Sequence, residues 1–282
     1  MRQRNNYFKL LWKLFRLPLF IYIGLLITLV VFEDHFVFQP ESETQKDFGE
    51  ALSDGRNRFI KVANHQIHLL AIEKPNPNCF ALYFHGNGGN ITHRTALLER
   101  LAAQLEITVL GVSYSGYGHS EGKPSENQLQ QDAEAALAYL LNHYDIDSTE
   151  VMVFGESLGG AVATRLASDH RLRLIALDSS FSSLPQVANF HYPWLPVKYL
   201  MRNKFAAEKH ARQYHGTVIQ THGTDDQVVP IKFGQRLASH FPNQDSHQFL
   251  IRNRGRHNEG PSDDYIRALK TTISRVFKTT TE

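Results

Sequence analysis

The longest apolar block lies near the start of the chain, where Leu17 to Phe32 (LPLFIYIGLLITLVVF) runs 16 residues without a charge between Arg16 and Glu33. As a helix it reaches roughly 24 Å, a little short of the ~30 Å hydrocarbon core of a bilayer. Outward snorkelling of Lys13 and Arg16, with Trp12 at the interface, closes that gap. A basic start and an apolar middle also fit a secretory signal, but the following EDHFVFQP offers no small-residue cleavage site. A buried core helix would keep a polar face, which this block lacks. The pattern therefore predicts an uncleaved transmembrane anchor over 17–32. A basic cytoplasmic tail over 1–16 precedes it and a connector over 33–57 follows. By the positive-inside rule the body then lies on the non-cytoplasmic side, with monotopic insertion and a cytoplasmic body as the alternative.

Beyond the connector, short apolar runs alternate with helical patterns. Phe59 to Val62 and Ile67 to Ile72 flank ANHQ and predict a hairpin. Cys79 to Phe84 predicts a buried strand, followed by a helix that presents Leu97, Leu98, Leu101, Ala102 and Leu105 on one face. Ile107 to Val112 predicts the next strand. Ser125 and Gln128 have capping-box spacing ahead of Leu129, Ala133, Ala136, Leu137, Leu140 and Leu141. Further strands are expected at Val151–Phe154, Leu174–Leu177, Val218–Thr221 and Gln248–Ile251. Helices are expected from Ser157, over Ile231–His240 and over about Ser262–Phe277. Such alternation predicts an α/β fold, a mostly parallel sheet with helices on both faces, over 58–282. Its one long break, about 179–216, is rich in proline and aromatic residues and is expected to be a small cap.

Composition narrows the function classes. The formal charge is +2, but Arg2, Arg4, Lys9, Lys13 and Arg16 fall within the first 32 residues without any acid, which leaves the remainder at −3. A basic nucleic-acid surface over the body is thus not expected. Cys79 is the single cysteine, so no intrachain disulfide and no CxxC site can form. Fifteen histidines are present, yet none has zinc-ligand spacing and no HExxH occurs. No metal and no cofactor are expected.

The chemistry concentrates at strand ends. Val151 to Phe154 runs into Gly155, Glu156, Ser157, Leu158 and Gly159, and a helix follows. A chain of this length carries a GxSxG by chance in roughly one case in ten, so the flanking strand and helix give the motif its weight. A sharp strand-to-helix turn exposes the serine hydroxyl at a helix N-terminus, where developing negative charge is favoured. Serine needs a base, itself oriented by a carboxylate. Asp225 and Asp226 follow strand Val218–Thr221, and His257 follows the strand ending near Ile251, so all fall on the rim that carries Ser157. HGNGGN (His85–Asn90) ends strand Cys79–Phe84 and can turn amides toward a substrate oxyanion, with the Leu158 amide as a second donor. A phosphate-binding glycine loop is the rival reading, but neither GxGxxG nor GxxxxGK[ST] is present there.

Taken together, FHGNGGN, SYSGYGHSEGKPSE, GESLGG, SSFSSL, HGTDDQVVP and GRHNE resemble the blocks of the α/β-hydrolases, in order, over roughly 58–278. They are most similar to the small membrane-tethered serine hydrolases of that superfamily. The resemblance implies Ser157 as nucleophile, Asp226 as acid and His257 as base. It prefers Asp226 to Asp225 because the acid lies four residues after the histidine of the HGxxDxxVP block. It assigns the oxyanion position to Asn87, with Gly88 as the alternative, beside Leu158. Three positions depart from the pattern: Arg256 stands where a small residue is common, Ser113 where an acid is frequent, and Asp178 ends a strand where some hydrolases place their acid. Arg256 is expected to face water.

The expected function is a membrane-anchored serine hydrolase that cleaves carboxylic esters or thioesters through an acyl-enzyme. Its partners would be a small-molecule ester, lipid or acylated-protein substrate and the lipid bilayer, with no nucleic acid and no obligate protein partner. The alternatives are a serine peptidase of the same fold and a non-catalytic membrane-tethered scaffold.

Overall fold

A computed structural model describes residues 2–41 and 55–277. Residues 42–54 of the expected connector, the side chains of Arg2, Arg4, Lys9 and Lys13 in the expected tail, and the last five residues lie outside the described part. The N-terminal apolar block belongs to one helix, Arg2–Val31, continuous through Pro18. Within it Leu14–Val31 is long and apolar enough to cross a membrane, and none of that stretch is buried by the rest of the chain. A short helix, Glu33–Val37, follows at once.

Ten strands form two sheets among the described residues. β1 (Gln39–Pro40) pairs in parallel with β5 (Gly88–Gly89). The main sheet holds the other eight: β2 (Asn57–Val62), β3 (His65–Ile72), β4 (Phe80–Phe84), β6 (Thr108–Val112), β7 (Val151–Glu156), β8 (Leu174–Asp178), β9 (Thr217–Gly223) and β10 (His247–Arg252). Their spatial order is β10-β9-β8-β7-β4-β6-β3-β2. The hairpin β2–β3 and its seam with β6 are antiparallel, whereas every pairing from β6 through β10 is parallel.

Strand geometry explains why the apolar runs are nearly continuous. Successive side chains of a strand point to opposite faces, so a sheet covered on both sides demands apolar residues at every position. Leu82 and Phe84 of β4 enter one core with helices Glu126–Tyr144, Leu158–His170 and Ile231–Ala238. Ala81 and Tyr83 enter the other with helices Thr95–Leu105 and Asp263–Phe277. The edge strand β10 is only partly covered, with Gln248 and Ile251 exposed and its other residues half-buried. Ser125 caps its helix as its spacing predicts, accepting from Gln128 N at 3.1 Å, but the Gln128 amide turns to Asp132 at 3.0 Å.

From β4 the chain passes outward in both directions, first to β6 and later to β7. Loops leaving the carboxyl ends of such neighbouring strands diverge and open a crevice between them. Phe84 of β4 is in register with Gly155 of β7, so the loop at His85 leaves the sheet beside Glu156 and Ser157.

Candidate active site

Ser157 sits at the turn between β7 and helix Leu158–His170 with φ 52° and ψ −116°. A non-glycine residue there carries strain of about 1–3 kcal/mol, which surrounding contacts must offset. They do so by holding both ends of the residue: Ser157 N donates to Asp178 O at 2.8 Å, while Ser180 Oγ and Gly160 N donate to Ser157 O at 3.0 Å each. The neighbouring glycines are required by space. A Cβ on Gly159 would stand 2.1 Å from Phe84 O, and one on Gly155 would stand 2.4 Å from Gly160 Cα. Close approach of helix to sheet thus projects the serine side chain above the rim.

The loops after β9 and β10 bring the expected partners to that side chain. His257 Nε2 lies 2.9 Å from Ser157 Oγ, and His257 Nδ1 lies 2.7 Å from Asp226 Oδ2. A carboxylate only accepts, so Nδ1 carries the proton and Nε2 presents its lone pair to the serine hydroxyl. Asp226 is 4% exposed. Burial would raise its pKa, but hydrogen bonds from His222, His257 and the Val229 amide outweigh burial and hold it well below the usual carboxylate range. Its Oδ1 also accepts from Val228 N at 2.9 Å and Val229 N at 2.8 Å.

The other two candidate acids are committed elsewhere. Asp225 is exposed, and its carboxylate accepts from Thr224 Oγ1 at 3.1 Å. Asp178 accepts from Arg252 Nη1 at 3.0 Å and Ser179 Oγ at 2.9 Å, with Arg252 Nη2 a further 2.9 Å contact. Arg256 is exposed, and Ser113 is buried with its hydroxyl donated to Tyr117 O at 3.0 Å.

Asn87 lies in the loop beside the serine, where a Cβ on the preceding Gly86 would be 3.6 Å from Ser157 Cβ. His85 Nδ1 donates to Gly86 O at 2.7 Å, which fixes the peptide unit that carries the Asn87 N–H. Burial pushes the His85 pKa down to about 4, so the ring is neutral near pH 7. Asn87 O accepts from Tyr117 Oη at 2.8 Å and from Gln39 N at 3.0 Å. Leu158 begins the helix directly after the serine, on the same turn.

A cavity of about 780 Å³ opens at Ser157 and His257 and continues past Asn87 to Arg94, Glu156 and Asn258. Glu156 anchors its wall: Arg94 binds both its oxygens at 3.0 Å and Tyr83 Oη donates at 2.7 Å. Burial would raise the Glu156 pKa, but the Arg94 hydrogen bonds and charge outweigh it and lower that pKa below the ordinary value. His222, Arg94 and Glu156 join the site through the fold, beyond the residues that the sequence motifs mark. His222 was visible as the histidine four residues before Asp226, whereas Arg94 carries no local signal because its partner is 62 residues away.

A family profile described as alpha/beta hydrolase fold matches residues 82–214. An uncharacterised protein of Mycobacterium tuberculosis is 37% identical over 158 residues, 56% of this chain and 56% of that protein. Protein bem46 of Schizosaccharomyces pombe is 36% identical over 136 residues, 48% of this chain and 46% of that protein. The chain spans about half the length of the curated relatives it matches. Among solved structures, the Pyrococcus furiosus esterase Pf2001 superposes with a TM-score of 0.65 at 15% identity, covering 84% of this chain and 98% of that one. At that identity the likeness speaks for the fold alone. Sheet order, strand-to-helix serine turn, profile and structural likeness agree, and the chain belongs to the α/β-hydrolase superfamily.

Proposed function

We propose that this protein is a membrane-anchored serine hydrolase acting on carboxylic esters or thioesters. The observation that carries the reading is the unbroken relay from Asp226 through His257 to Ser157, with contacts of 2.7 and 2.9 Å, mounted on a positive-φ turn. Ser157 Oγ attacks the acyl carbon as its proton passes to His257 Nε2. Negative charge on the carbonyl oxygen is met by the amides of Asn87 and Leu158. His257 then returns the proton to the leaving alcohol or thiol. Water, deprotonated by the same nitrogen, releases the acid and restores the serine. No cofactor is invoked.

The cavity favours a substrate with polar atoms beside the reacting carbonyl. Arg94, Glu156 and Asn258 in its wall would be stripped of water by a long alkyl chain without compensation. Membrane anchoring is supported by the exposed apolar helix and by Tyr192, Trp194 and Tyr199, exposed aromatics of the kind that settle at a bilayer interface.

Labelling by a fluorophosphonate probe tests the reading. Wild type is expected to label, and Ser157→Ala, folded by circular dichroism, is not. Equal labelling of both proteins, or of neither, would remove the proposal. A nitrophenyl ester series from acetyl to decanoyl tests the polar cavity, with the short acyl groups expected to turn over faster.

A further inference from the structure

We infer that Glu33–Glu41, the segment directly after the apolar helix, is a positioning strap for the loop that carries Asn87. This inference rests on the hydrolase reading above, in which the Asn87 amide faces the oxyanion. The strap reaches the loop from three sides. Gln39 N donates to Asn87 O at 3.0 Å, Asn87 Nδ2 donates to Val37 O at 3.1 Å, and Glu41 N donates to Gly89 O at 3.2 Å. Gln39 and Pro40 are in parallel register with Gly88 and Gly89. Beyond the loop, Glu41 O accepts from Gly118 N at 3.0 Å and Asn90 Nδ2 at 3.2 Å. The carbonyl, the side chain and the following strand of Asn87 are therefore all held by residues more than 45 positions earlier in the chain.

The other end of the strap is fixed as firmly. Glu33 is a carboxylate only 5% exposed, and it accepts from Arg202 N at 2.8 Å, Asn203 N at 2.8 Å and Asn203 Nδ2 at 3.0 Å. Phe38, 2% exposed, packs edge-on against Phe205. A buried carboxylate with this many N–H partners is costly to displace, so the strap has one seat on the body. Tension or tilt in the apolar helix, which ends at Val31, enters the body through Glu33 and reaches the loop at Gln39. The membrane segment and the oxyanion loop are thus joined by one short piece of chain, and a body carrying all three of Ser157, His257 and Asp226 still lacks part of its active-site support without it.

Gln39→Pro in the full-length protein in detergent micelles removes one of the two donors to Asn87 O and leaves Tyr117 Oη as the other. Phe38 already has φ −105° and ψ 128°, the extended region required of the residue before a proline. Expected is a fall of about tenfold or more in kcat per fluorophosphonate-titrated site, with KM within about twofold and the Ki of a trifluoromethyl ketone raised in proportion. Gln39→Ala keeps the N–H and is expected to recover most of the loss. Glu33→Gln, which removes the charge and replaces one acceptor oxygen with an NH2 donor facing N–H donors, is the second variant should Gln39→Pro fold poorly, and the same pattern is expected. An unchanged kcat per titrated site in both variants overturns the strap. Hydrogen exchange at residues 85–90 is read in parallel and does not depend on turnover. Faster exchange in the variants supports the strap even if wild type proves inactive, in which case only the hydrolase reading falls. Unchanged exchange counts against the strap.

Discussion

His222 stands 3.2 Å from Asp226, with its Nε2 directed at the same carboxylate oxygen, Oδ2, that receives Nδ1 of His257. His222 Nε2 is also 2.7 Å from Val229 O, and a carbonyl accepts only, so that nitrogen carries the proton. Asp226 is thereby held between two histidines and two backbone amides. Replacing it with Asn removes the charge that orients His257 in its productive tautomer. Asp226→Asn is expected to lower kcat by roughly 10³- to 10⁴-fold with little change in melting temperature. Asp225→Asn should stay within about twofold of wild type. Equal losses at the two positions in an ester assay would reverse the assignment.

Asp178 and Arg252 form a buried pair whose side chains are 3% and 8% exposed. Asp178→Asn leaves the guanidinium buried without its counter-charge, which costs about 3–5 kcal/mol. A fall of that size in unfolding free energy is expected from urea titration. A variant as stable as wild type would show that the pair is not structural.

Arg94 governs how the cavity wall responds to pH. In the native protein Glu156 sits below its ordinary value of 4.5, so its stabilising contribution is present above that value and is lost as pH falls through the lowered one. Arg94→Met removes the largest influences that lower the Glu156 pKa, and burial is then expected to raise it above the ordinary value. The folded variant then binds a proton that the unfolded chain has released, and its stability falls as pH rises through that window. The gap in melting temperature between wild type and Arg94→Met is expected to widen from pH 4 to pH 7. A constant gap would show that Glu156 does not respond to Arg94.

The proposed membrane anchor is open to direct test. Ile23 and Leu25 lie mid-helix with 41% and 38% of their surface exposed. An arginine at such a depth costs about 2.5–3.5 kcal/mol. The double substitution Ile23→Arg, Leu25→Arg is expected to release the protein from membranes on alkaline carbonate extraction, which wild type resists. In sealed vesicles of cytoplasmic-side-in orientation, the body should be digested by added protease. Full protection of an anchored protein would place the body on the cytoplasmic side.

Gly159 tests the packing that shapes the serine turn. Gly159→Ala forces a methyl against the Phe84 and His85 carbonyls, with ideal positions 2.1 and 2.5 Å from those oxygens. Both are backbone atoms of a central strand and its loop, so relief requires moving the His85–Asn90 loop or the helix. Destabilisation of about 3 kcal/mol by urea titration, together with loss of fluorophosphonate labelling, is expected. Wild-type labelling in this variant would show that the turn tolerates the shift.

Much of the architecture was written locally. The short apolar runs at Leu82, Val153 and Ile175, set between helical patterns, read as strands covered on both faces, and the rim positions of Ser157, Asp226 and His257 follow from parallel connections. Helix ends were less legible. Thr95–Leu105, Glu126–Tyr144 and Leu158–His170 stop at Glu106, Asp145 and Arg171 in the left-handed region, where the sequence supplies no glycine to mark the boundary. The spacing of the HGxxDxxVP block already favoured Asp226 over Asp225, and the fold supplies the contact: adjacent residues in a turn point apart, and it is Asp226 that meets His257.

The sequence by itself determined the periodicities, the apolar N-terminal block and the order in which serine, acid and histidine reach one rim, because each of these depends on neighbours within a few residues. Tertiary structure alone decided that Glu33 is buried, that Gln39 grips Asn87, and that Arg94 and His222 serve Glu156 and Asp226. Those relationships, apart from the near one of His222, join residues tens to hundreds of positions apart. Polar contacts of that kind leave no periodic trace, since one hydrogen bond asks only for a donor and an acceptor that folding brings together.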